Sequence, residues 1–474
     1  PTFAFMDDAE FDALQQRAVL CAKMDALMDA GDCKAAVMLC APLKAVKDDP
    51  VLWNSAEVLY RLGRACSKLA TTLLIKAGET RKLDRCRQYR EMCEVFFKRG
   101  AELEPDNPRC ATALAYRYYS NVHELMRPGE RRDQDLEEQI KLAHEWLSRA
   151  LEIYPQSVRN HYRKGKLIIE KQVPYLLFGK RAYGAREADL LREIREVGEE
   201  HLATAIALYE ALEDEEAKAR DRREYAKALY VLGGYYLDDA YLPVHEYFLR
   251  RIAGREDMPP VALISKLDIE SAIELLEKAF YAETDMPLSQ LDAARLAQLN
   301  KQWTRSPVEK LYRLGCAESA AAFIALTESD SDALARHARA AVRCLQAAKA
   351  VADQSQDRKR NTWHISEKLA WTHIYLGQYD TAARLISRAK AGYIVNTYAI
   401  ALLMMNTAAS LRRAEEVLSA AVQDTHNLAS GLSGVLWAYV RARRGQNIPP
   451  LGKTLSARNR RLAALLGVQA NPCQ

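Results

Sequence analysis

Residues 363–389 constrain the fold most, because they form two short amphipathic segments joined by a turn signal. Gly377 and Gln378 separate the two segments, and glycine favours the backbone turn that ends a helix. Residues that share one helical face recur every three or four positions: Leu369, Ala370 and His373 in the first segment, and Tyr379, Ala382, Ile386 and Ala389 in the second. The segment therefore predicts a pair of packed helices.

In the second helix, Ala382, Ile386 and Ala389 form a small–large–small pattern, with intervals of four and then three residues. This pattern recurs along the chain. It is found at Ala272, Leu276 and Ala279, at Ala341, Leu345 and Ala348, and at Ala414, Leu418 and Ala421. In the first half, Gly100 precedes Pro105 at the same interval at which Ala150 precedes Pro155. These units resemble a divergent form of the tetratricopeptide repeat (TPR) family. The resemblance implies an all-α solenoid of TPR-like helix-turn-helix repeats, here with long insertions in the first half.

The insertions set the expected domain organisation, because they interrupt the repeats at about residues 170–190 and 238–266. We predict divergent TPR-like repeats over residues 1–285, a candidate hinge at 286–306, regular TPR-like repeats over 307–426 and a basic C-terminal cap over 427–474. A solenoid needs a cap to cover its last apolar face. One continuous superhelix and two segments meeting at the hinge fit this pattern equally well.

Composition and cysteine usage indicate a folded protein of a reducing compartment. Hydrophobic residues make up 49% of the chain and charged residues 28%. The ten cysteines show no paired motif. No apolar run approaches the roughly 18–20 residues of a membrane-spanning helix, and the acidic residues Asp7, Asp8 and Glu10 are atypical of a targeting signal. We therefore expect a location in the cytoplasm or on the cytoskeleton.

Motifs for catalysis, metal binding or cofactor binding are missing from the sequence. The nine histidines include no pair at metal-ligand spacing with a companion glutamate or cysteine. His144 begins a zinc-protease-like dipeptide, but Ser148 stands where the second histidine is needed. Residues 452–454 read Gly-Lys-Thr, yet Asn447 replaces the earlier glycine of a phosphate-binding loop. We therefore predict that the chain is not an enzyme and needs no cofactor or metal.

The TPR resemblance also implies where a partner binds, because the first helix of each repeat generally lines the concave groove in that family. Polar and aromatic residues at such positions are the predicted partner-binding residues: Arg109, Tyr116, Arg159, Arg163, Lys166, Lys227 and Tyr230. Tyrosines packed between repeats and arginines that only solvate a helix would give the same pattern. Ala113 and Val231 depart from the carboxylate-binding pattern of chaperone adaptors in this family, whereas Arg159 and Arg163 suit an acidic peptide.

The C-terminal tail is a second candidate surface, because no acidic residue follows Asp424. Seven basic residues lie beyond it: Arg441, Arg443, Arg444, Lys453, Arg458, Arg460 and Arg461. The whole chain carries a formal net charge of +5, so the tail is its basic end. Such a tail suits an acidic partner, and it equally suits a cap that only closes the solenoid.

The leading hypothesis is a non-enzymatic protein–protein interaction scaffold that serves as a structural subunit of a larger assembly. The first alternative is a microtubule- or cytoskeleton-associated TPR protein, since residues 50–105 resemble the regulators of microtubule dynamics, a divergent group of this repeat class. The second alternative is an RNA-binding helical repeat, which the lack of aromatic residues interleaved with the basic tail disfavours. Expected partners are proteins, with tubulin or another acidic surface as one option.

Overall fold

The fold is an all-α solenoid, as the repeat pattern predicts. The structure is a computed structural model that describes residues 8–40, 43–75, 80–125, 133–177, 185–237, 241–255, 264–290, 308–354, 362–388, 392–423, 430–447 and 455–468. These residues form helices and turns, with no strand among them. The chain divides into two compact units, residues 1–228 (the first unit) and residues 229–474 (the second unit).

The first unit is built from antiparallel helix pairs. Its helices are α1 (Asp8–Asp29), α2 (Cys33–Met38), α3 (Pro50–Trp53), α4 (Ala56–Ile75), α5 (Thr80–Leu103), α6 (Pro108–Leu125), α7 (Asp133–Ile153), α8 (Val158–Leu167), α9 (Val173–Leu177), α10 (Ala185–Glu210) and the first part of α11 (Glu215–Tyr235), with a 3-10 turn at Leu43–Lys47 and a π-helical turn at Ile168–Gln172. The repeat pairs are α4 with α5, α6 with α7 and α8 with α10. Helix α4 also contacts α6, and α6 contacts α8. The first helix of each pair therefore belongs to one layer and the second helix to another.

Helix starts in the first unit are fixed by side-chain caps. Asp49 accepts hydrogen bonds from the Val51 and Leu52 backbone amides, so α3 begins at the proline that follows it. Ser157 caps α8, its Oγ accepting from the Asn160 amide at 3.3 Å. Such caps satisfy the amides that a helix leaves unbonded in its first turn. Helix α3 is only a single turn long.

Close helix crossings in the first unit depend on small residues. A Cβ atom built at Gly165 of α8 would lie 2.7 Å from the Gly198 carbonyl oxygen of α10 and 2.7 Å from Leu202 Cγ. Likewise, a Cβ atom at Gly100 would meet Cys110 Sγ, which follows the turn at Pro105. Gly165 therefore marks a close crossing of two helices, because a larger side chain would not fit between α8 and α10 without displacing one of them.

The second unit repeats the same plan. Its helices are the end of α11, α12 (Tyr241–Ala253), α13 (Lys266–Thr284), α14 (Val308–Thr327), α15 (Ser331–Gln354), α16 (Trp363–Tyr375), α17 (Tyr379–Ile386), α18 (Gly392–Met405), α19 (Ala408–Gln423), α20 (Ser430–Arg443) and α21 (Ala457–Leu465), with a 3-10 turn at Leu288–Gln290. The pairs are α14 with α15, α16 with α17 and α18 with α19. Contacts of α14 with α16, α16 with α18 and α18 with α20 define the layer of first helices.

The repeated small–large–small pattern lies in the core, as expected. Its described members are buried in α13, α15, α17 and α19: Ala272, Leu276, Ala279, Ala341, Leu345, Ala348, Ala382, Ile386, Ala414, Leu418 and Ala421. Ala389 lies outside the described residues. Gly377 has a φ of +71°, so the turn between α16 and α17 uses the left-handed conformation that favours glycine. The pattern in residues 363–389 is therefore a packing pattern.

Helix α12 is the main departure from a regular array. It arises from the insertion at residues 238–266, yet it packs against first helices α14, α16 and α18 and against the closing helix α21. Phe248 is fully buried, with its ring 5.8 Å from that of Trp371 and 5.9 Å from that of Tyr375. The Tyr439 hydroxyl donates to the Ile252 carbonyl at 2.8 Å. The inserted helix thus covers the face of the first-helix layer that is left free by the second helices.

The boundary between the two compact units falls earlier in the chain than the predicted hinge. Ala228 and Leu229 lie within α11, whereas the expected hinge is at residues 286–306. The end of α11 belongs to the second unit because Gly233 packs against Leu276 of α13. Residues 291–307 lie outside the described part of the chain, so the hinge itself stays a prediction.

Candidate functional site

The predicted partner-binding residues come together mostly on α6, α8 and α11 of the first unit. Within one patch lie Tyr116 of α6, Arg159, Arg163 and Lys166 of α8, and Lys227 of α11. The three residues of α8 share a helical face because positions 163 and 166 lie one and two turns after position 159. We call this set, together with Tyr119, Tyr162, Asp221 and Glu224, the α8 patch.

Arg163 is the centre of the α8 patch. Its guanidinium carbon lies 4.4 Å from the ring centroid of Tyr116, in a cation–π contact. Tyr116 in turn stacks on Tyr119, with 6.4 Å between ring centroids. Tyr116 is 47% exposed, so one side of this aromatic pair is open to solvent. An arginine held on an exposed tyrosine has a fixed position from which it can contact a ligand.

Arg163 lacks an acidic partner within the described part of the chain, where it forms no ion pair. Burial, and secondly the neighbouring Arg159 cation, lower its pKa to about 10. A guanidinium is ordinarily protonated at all physiological pH values, so this direction reports poor solvation and repulsion by a like charge. An anion placed beside Arg163 would relieve both effects.

Arg159 is neutralised by two carboxylates of α11. One guanidinium nitrogen lies 3.3 Å from Asp221 Oδ1, and Nε lies 4.0 Å from Glu224 Oε1. Arg159 Nε is buried and has no hydrogen-bond partner among the described residues. The α8 patch therefore contains carboxylates as well as cations, and the carboxylates pair with Arg159.

Two lysines surround Tyr162 of α8. Lys166 Nζ and Lys227 Nζ lie 5.8 Å and 5.9 Å from its ring centroid. Lys166 also forms an ion pair of 3.5 Å with Glu170, one turn further along the chain. Burial raises the pKa of the Tyr119 hydroxyl, so this phenol stays neutral and can donate a hydrogen bond. The patch thus combines cations, phenol groups and aromatic faces.

Two predicted residues do not join the α8 patch. Arg109 is exposed at the start of α6, where its backbone amide donates to Asn107 Oδ1 at 3.0 Å. Tyr230 belongs to the second unit and lies beneath two cations, with Arg313 4.3 Å and Lys310 5.2 Å from its ring centroid. Helical position alone predicts that both residues line a common groove. In the structure, each contacts neighbours that are not part of the α8 patch.

Tyr119, Tyr162, Asp221 and Glu224 were not predicted from the sequence. Tyr162 carries a signal, because it precedes Arg163 directly and lies one turn after Arg159. Asp221 and Glu224 lie in a charge-rich segment of α11 that reads as an ordinary solvated face. Their contact with Arg159 spans more than sixty residues of chain, and helical periodicity does not report such contacts.

A pair of histidines lies beside this patch, between α8 and α10. His161 Nε2 lies 2.9 Å from the Pro155 carbonyl oxygen, which only accepts, so this nitrogen carries the hydrogen. His161 Nδ1 therefore accepts from the Nδ1–H of His201 at 2.9 Å. Burial lowers the pKa of both rings, that of His201 to about 4 with further contributions from Lys164, His161 and His144. Both rings are neutral at pH 7.

The first unit should lose stability as this pair is protonated. A histidine with a lowered pKa in the folded state favours folding fully above the unfolded value of about 6.5, and the contribution is lost as pH falls from there towards 4. We expect a loss of about 1–2 kcal/mol between pH 7 and pH 4.5, since the rings remain partly solvated. Hydrogen exchange of α8 and α10 across this pH range measures the effect.

His201→Phe removes the titrating ring and should flatten this pH dependence, whereas His373→Gln in the second unit should leave it intact. His373 is a suitable control because it is half-buried and bonded to Gln378 at 2.7 Å. An unchanged slope in the His201→Phe chain would show that other groups cause the acid sensitivity.

The basic tail mostly contacts the second unit itself. Arg444 pairs with Glu415, Arg461 pairs with Glu246 at 3.1 Å, and Arg443 donates to Asn406 Oδ1 at 3.0 Å. Arg441 lies over the Trp437 ring, at 5.4 Å from its centroid. The other predicted tail residues are Arg458 and Arg460, which are exposed, and Lys453, which lies outside the described residues. Helix α21 packs against α20 and α12, and its role as a cap stays a prediction.

The described residues hold no metal-binding cluster, since no three His, Cys, Asp or Glu side chains are placed to share an ion. The nine cysteines among them are all free thiols. A search of the same residues for a helix both long and apolar enough to cross a membrane finds none.

Comparisons with known proteins concern the fold alone. No protein-family model matches the sequence, and no curated protein matches it. Among solved structures, the chain is similar to a human IFIT1 dimer with PPP-AAAA, at 13% identity over 98% of this chain and 96% of that one, with a TM-score of 0.31. It is similar to a monomeric IFIT1 mutant with Gppp-AAAA, at 13% identity over 98% and 95% with a TM-score of 0.32. It is also similar to a circular tandem repeat protein, at 14% identity over 94% and 87% with a TM-score of 0.25.

Proposed function

We propose that the chain is a non-enzymatic scaffold of the TPR kind, and that its first unit holds an acidic segment of a partner protein on the α8 patch. The observation that carries the proposal is Arg163, a poorly solvated cation fixed on Tyr116 and without an acidic partner among the described residues. A carboxylate suits this site because the planar guanidinium offers paired donors that match its two oxygens.

The mixture of charges favours a protein segment over a nucleic acid. Asp221 and Glu224 lie in the same patch as Arg163 and neutralise Arg159. A phosphate backbone carries a negative charge at every nucleotide and would meet these carboxylates. A peptide can place one acidic residue at Arg163 and neutral or basic residues beside Asp221 and Glu224. RNA binding is therefore the less favoured alternative, and the experiment below tests it.

The second unit supports this assignment by what it lacks. In its layer of first helices, the free face is covered by α12, through Phe248, Tyr247 and their aromatic neighbours. Helix α12 thus occupies part of the face that a partner segment would use there. The α8 patch of the first unit, in contrast, leaves Tyr116 exposed.

The test is fluorescence anisotropy of a labelled glutamate-rich peptide with the full chain and its Arg163→Gln variant. We expect binding to weaken by about tenfold or more in the variant, because a charge-assisted contact contributes about 1.5–3 kcal/mol. Arg149→Gln is the matched control. Arg149 also makes a cation–π contact, at 5.1 Å from the Trp146 ring centroid, but it lies on α7, in the layer of second helices.

Equal affinity of the Arg163→Gln and Arg149→Gln chains for the peptide would contradict the proposal. A single-stranded RNA of equal charge serves as the second probe, and tighter, Arg163-dependent retention of RNA would favour the RNA-binding alternative. Co-sedimentation with microtubules tests the cytoskeletal alternative: pelleting that Arg163→Gln abolishes would make tubulin the acidic partner, and pelleting that it leaves unchanged would place that contact elsewhere.

A further inference from the structure

A cavity with both polar and apolar walls lies within the second unit. Its volume is about 160 Å³, and its walls come from α11, α12, α14 and α16. A single water needs only about 10–15 Å³ by this measure, so the space accommodates a small organic molecule. Among the described residues, two cationic side chains, Arg313 and Lys368, line it, and no aspartate or glutamate does.

Arg313 occupies a fixed position at this cavity. Its guanidinium lies 4.3 Å from the ring centroid of Tyr230. Gly234 leaves the space for it, because a Cβ atom at residue 234 would overlap the guanidinium. Arg313 forms no ion pair within the described part of the chain. The backbone of α11 and an aromatic ring therefore hold a cation that no carboxylate of the described residues pairs with.

Lys368 of α16 is a buried cation at the same cavity, with only 8% of its surface exposed. Burial lowers the pKa of its ammonium group, although Cys316 and Glu367 act in the opposite direction. Glu367 is engaged by other donors, since it accepts from Trp371 Nε1 at 3.1 Å and from Thr397 Oγ1 at 3.0 Å. Glu367 is thus shared between these donors.

We propose that this cavity binds a small organic anion whose phosphate or carboxylate group contacts Arg313 and Lys368. Tyr312 and Tyr375 line the same space, and a phenol hydroxyl can donate to an anion's oxygen. Apolar side chains, among them Val244 and Trp371, line the remainder and suit a carbon body. The proposal does not depend on the partner segment assigned to the first unit.

Binding, without covalent chemistry, is the role that fits the cavity. Cys316 is the one thiol on its wall, and burial raises the pKa of that thiol. A protonated thiol is a poor nucleophile. No histidine or carboxylate in the described part of the chain lines the cavity to deprotonate it. An anion held by two cations and two phenols needs none of these groups.

The proposal is tested by calorimetric titration of the full chain with inorganic phosphate and with succinate, at constant ionic strength. We expect one equivalent of at least one of them to bind, and affinity to fall by about tenfold or more in Lys368→Met and in Gly234→Ala. Methionine fills the volume of a buried lysine without its charge, so the first variant should remain folded. Gly234→Ala should displace the Arg313 guanidinium from the space beside residue 234 without removing a charge.

Lys349→Met is the matched control, because Lys349 pairs with Asp353 at 2.8 Å on α15, outside the cavity wall. It should bind the anion as the unmodified chain does. Preference for phosphate or for succinate distinguishes the two kinds of anionic group. No binding of either anion by about 10 mM, or equal binding by all variants, would overturn the proposal.

Alkylation of Cys316 gives a second readout that needs no substitution. A bound anion should slow its reaction with iodoacetamide, because Cys316 lines the cavity. Cys33 of the first unit is partly exposed and should react at the same rate with or without the anion. Unchanged alkylation of Cys316 at saturating anion would place the bound anion elsewhere and contradict the assignment.

Discussion

Replacing Gly165 by valine is expected to unfold the first unit at physiological temperature or to bring it close to unfolding. The Cβ atom would lie 2.7 Å from the Gly198 carbonyl oxygen and from Leu202 Cγ, and valine adds two further methyl groups. The carbonyl belongs to the backbone of α10 and cannot rotate away, so the two helices must separate. We expect a loss of about 3 kcal/mol or more, against a typical stability of about 5–15 kcal/mol for a domain.

Hydrogen exchange measures this effect by unit, because amides of α8 and α10 report the first unit and amides of α16 and α18 report the second. Ala207→Val is the control, since Ala207 is exposed on α10 and valine there should cost only about 0.5 kcal/mol of helix propensity. Unchanged protection of α8 and α10 in the Gly165→Val chain would mean that the helices do not cross at Gly165.

Phe248→Ala is expected to release α12 from the second unit. Phe248 is fully buried, and its ring contacts those of Trp371 and Tyr375. Truncating a buried phenylalanine typically costs about 3–5 kcal/mol, from lost burial and from the cavity that remains. We expect faster hydrogen exchange in α12 and a lower unfolding temperature, with further loss of protection in α21, which packs on α12.

Arg251→Ala is the matched control on the same helix. Arg251 is exposed and approaches the Tyr247 ring, at 5.9 Å from its centroid, so its truncation should change stability by less than about 1 kcal/mol. If Phe248→Ala were as mild as Arg251→Ala, α12 would not be docked on the first-helix layer.

The repeat architecture was predictable because it depends on local spacing. The interval of four and then three residues places Ala341, Leu345 and Ala348 on one helical face, and each is buried. Gly165 was also predictable, since a glycine within an amphipathic helix indicates a close approach. These features need only the neighbours one or two turns away.

The position of α12 was not predictable from the sequence. Glu246 and Arg250 occur one turn apart, which usually indicates a solvated helix face, yet both are buried. They pair with each other, and Arg461 adds a second contact to Glu246 at 3.1 Å across more than two hundred residues. Only the tertiary structure shows that these charges compensate one another inside the second unit.

The candidate site was predictable in part. Arg159, Arg163 and Lys166 share a face by helical periodicity alone, and the structure places them together. What distinguishes Arg163 from Arg159 is the presence of Asp221 and Glu224 beside Arg159. The tail prediction shows the same limit, because basic residues without acidic neighbours in sequence, such as Arg444 and Arg461, find carboxylates on distant helices. Charge balance in sequence does not give charge balance in space.

The central claim is that Arg163 receives an acidic group of a partner, and a charge-exchange experiment tests it most directly. Affinities are measured for the unmodified chain, Arg163→Glu and Arg149→Glu, each with a glutamate-rich peptide and with its lysine-substituted counterpart. We predict that Arg163→Glu lowers the affinity for the acidic peptide by about tenfold or more and raises the affinity for the basic peptide. Arg149→Glu should change neither affinity. Unchanged affinity of the acidic peptide for the Arg163→Glu chain would contradict the account.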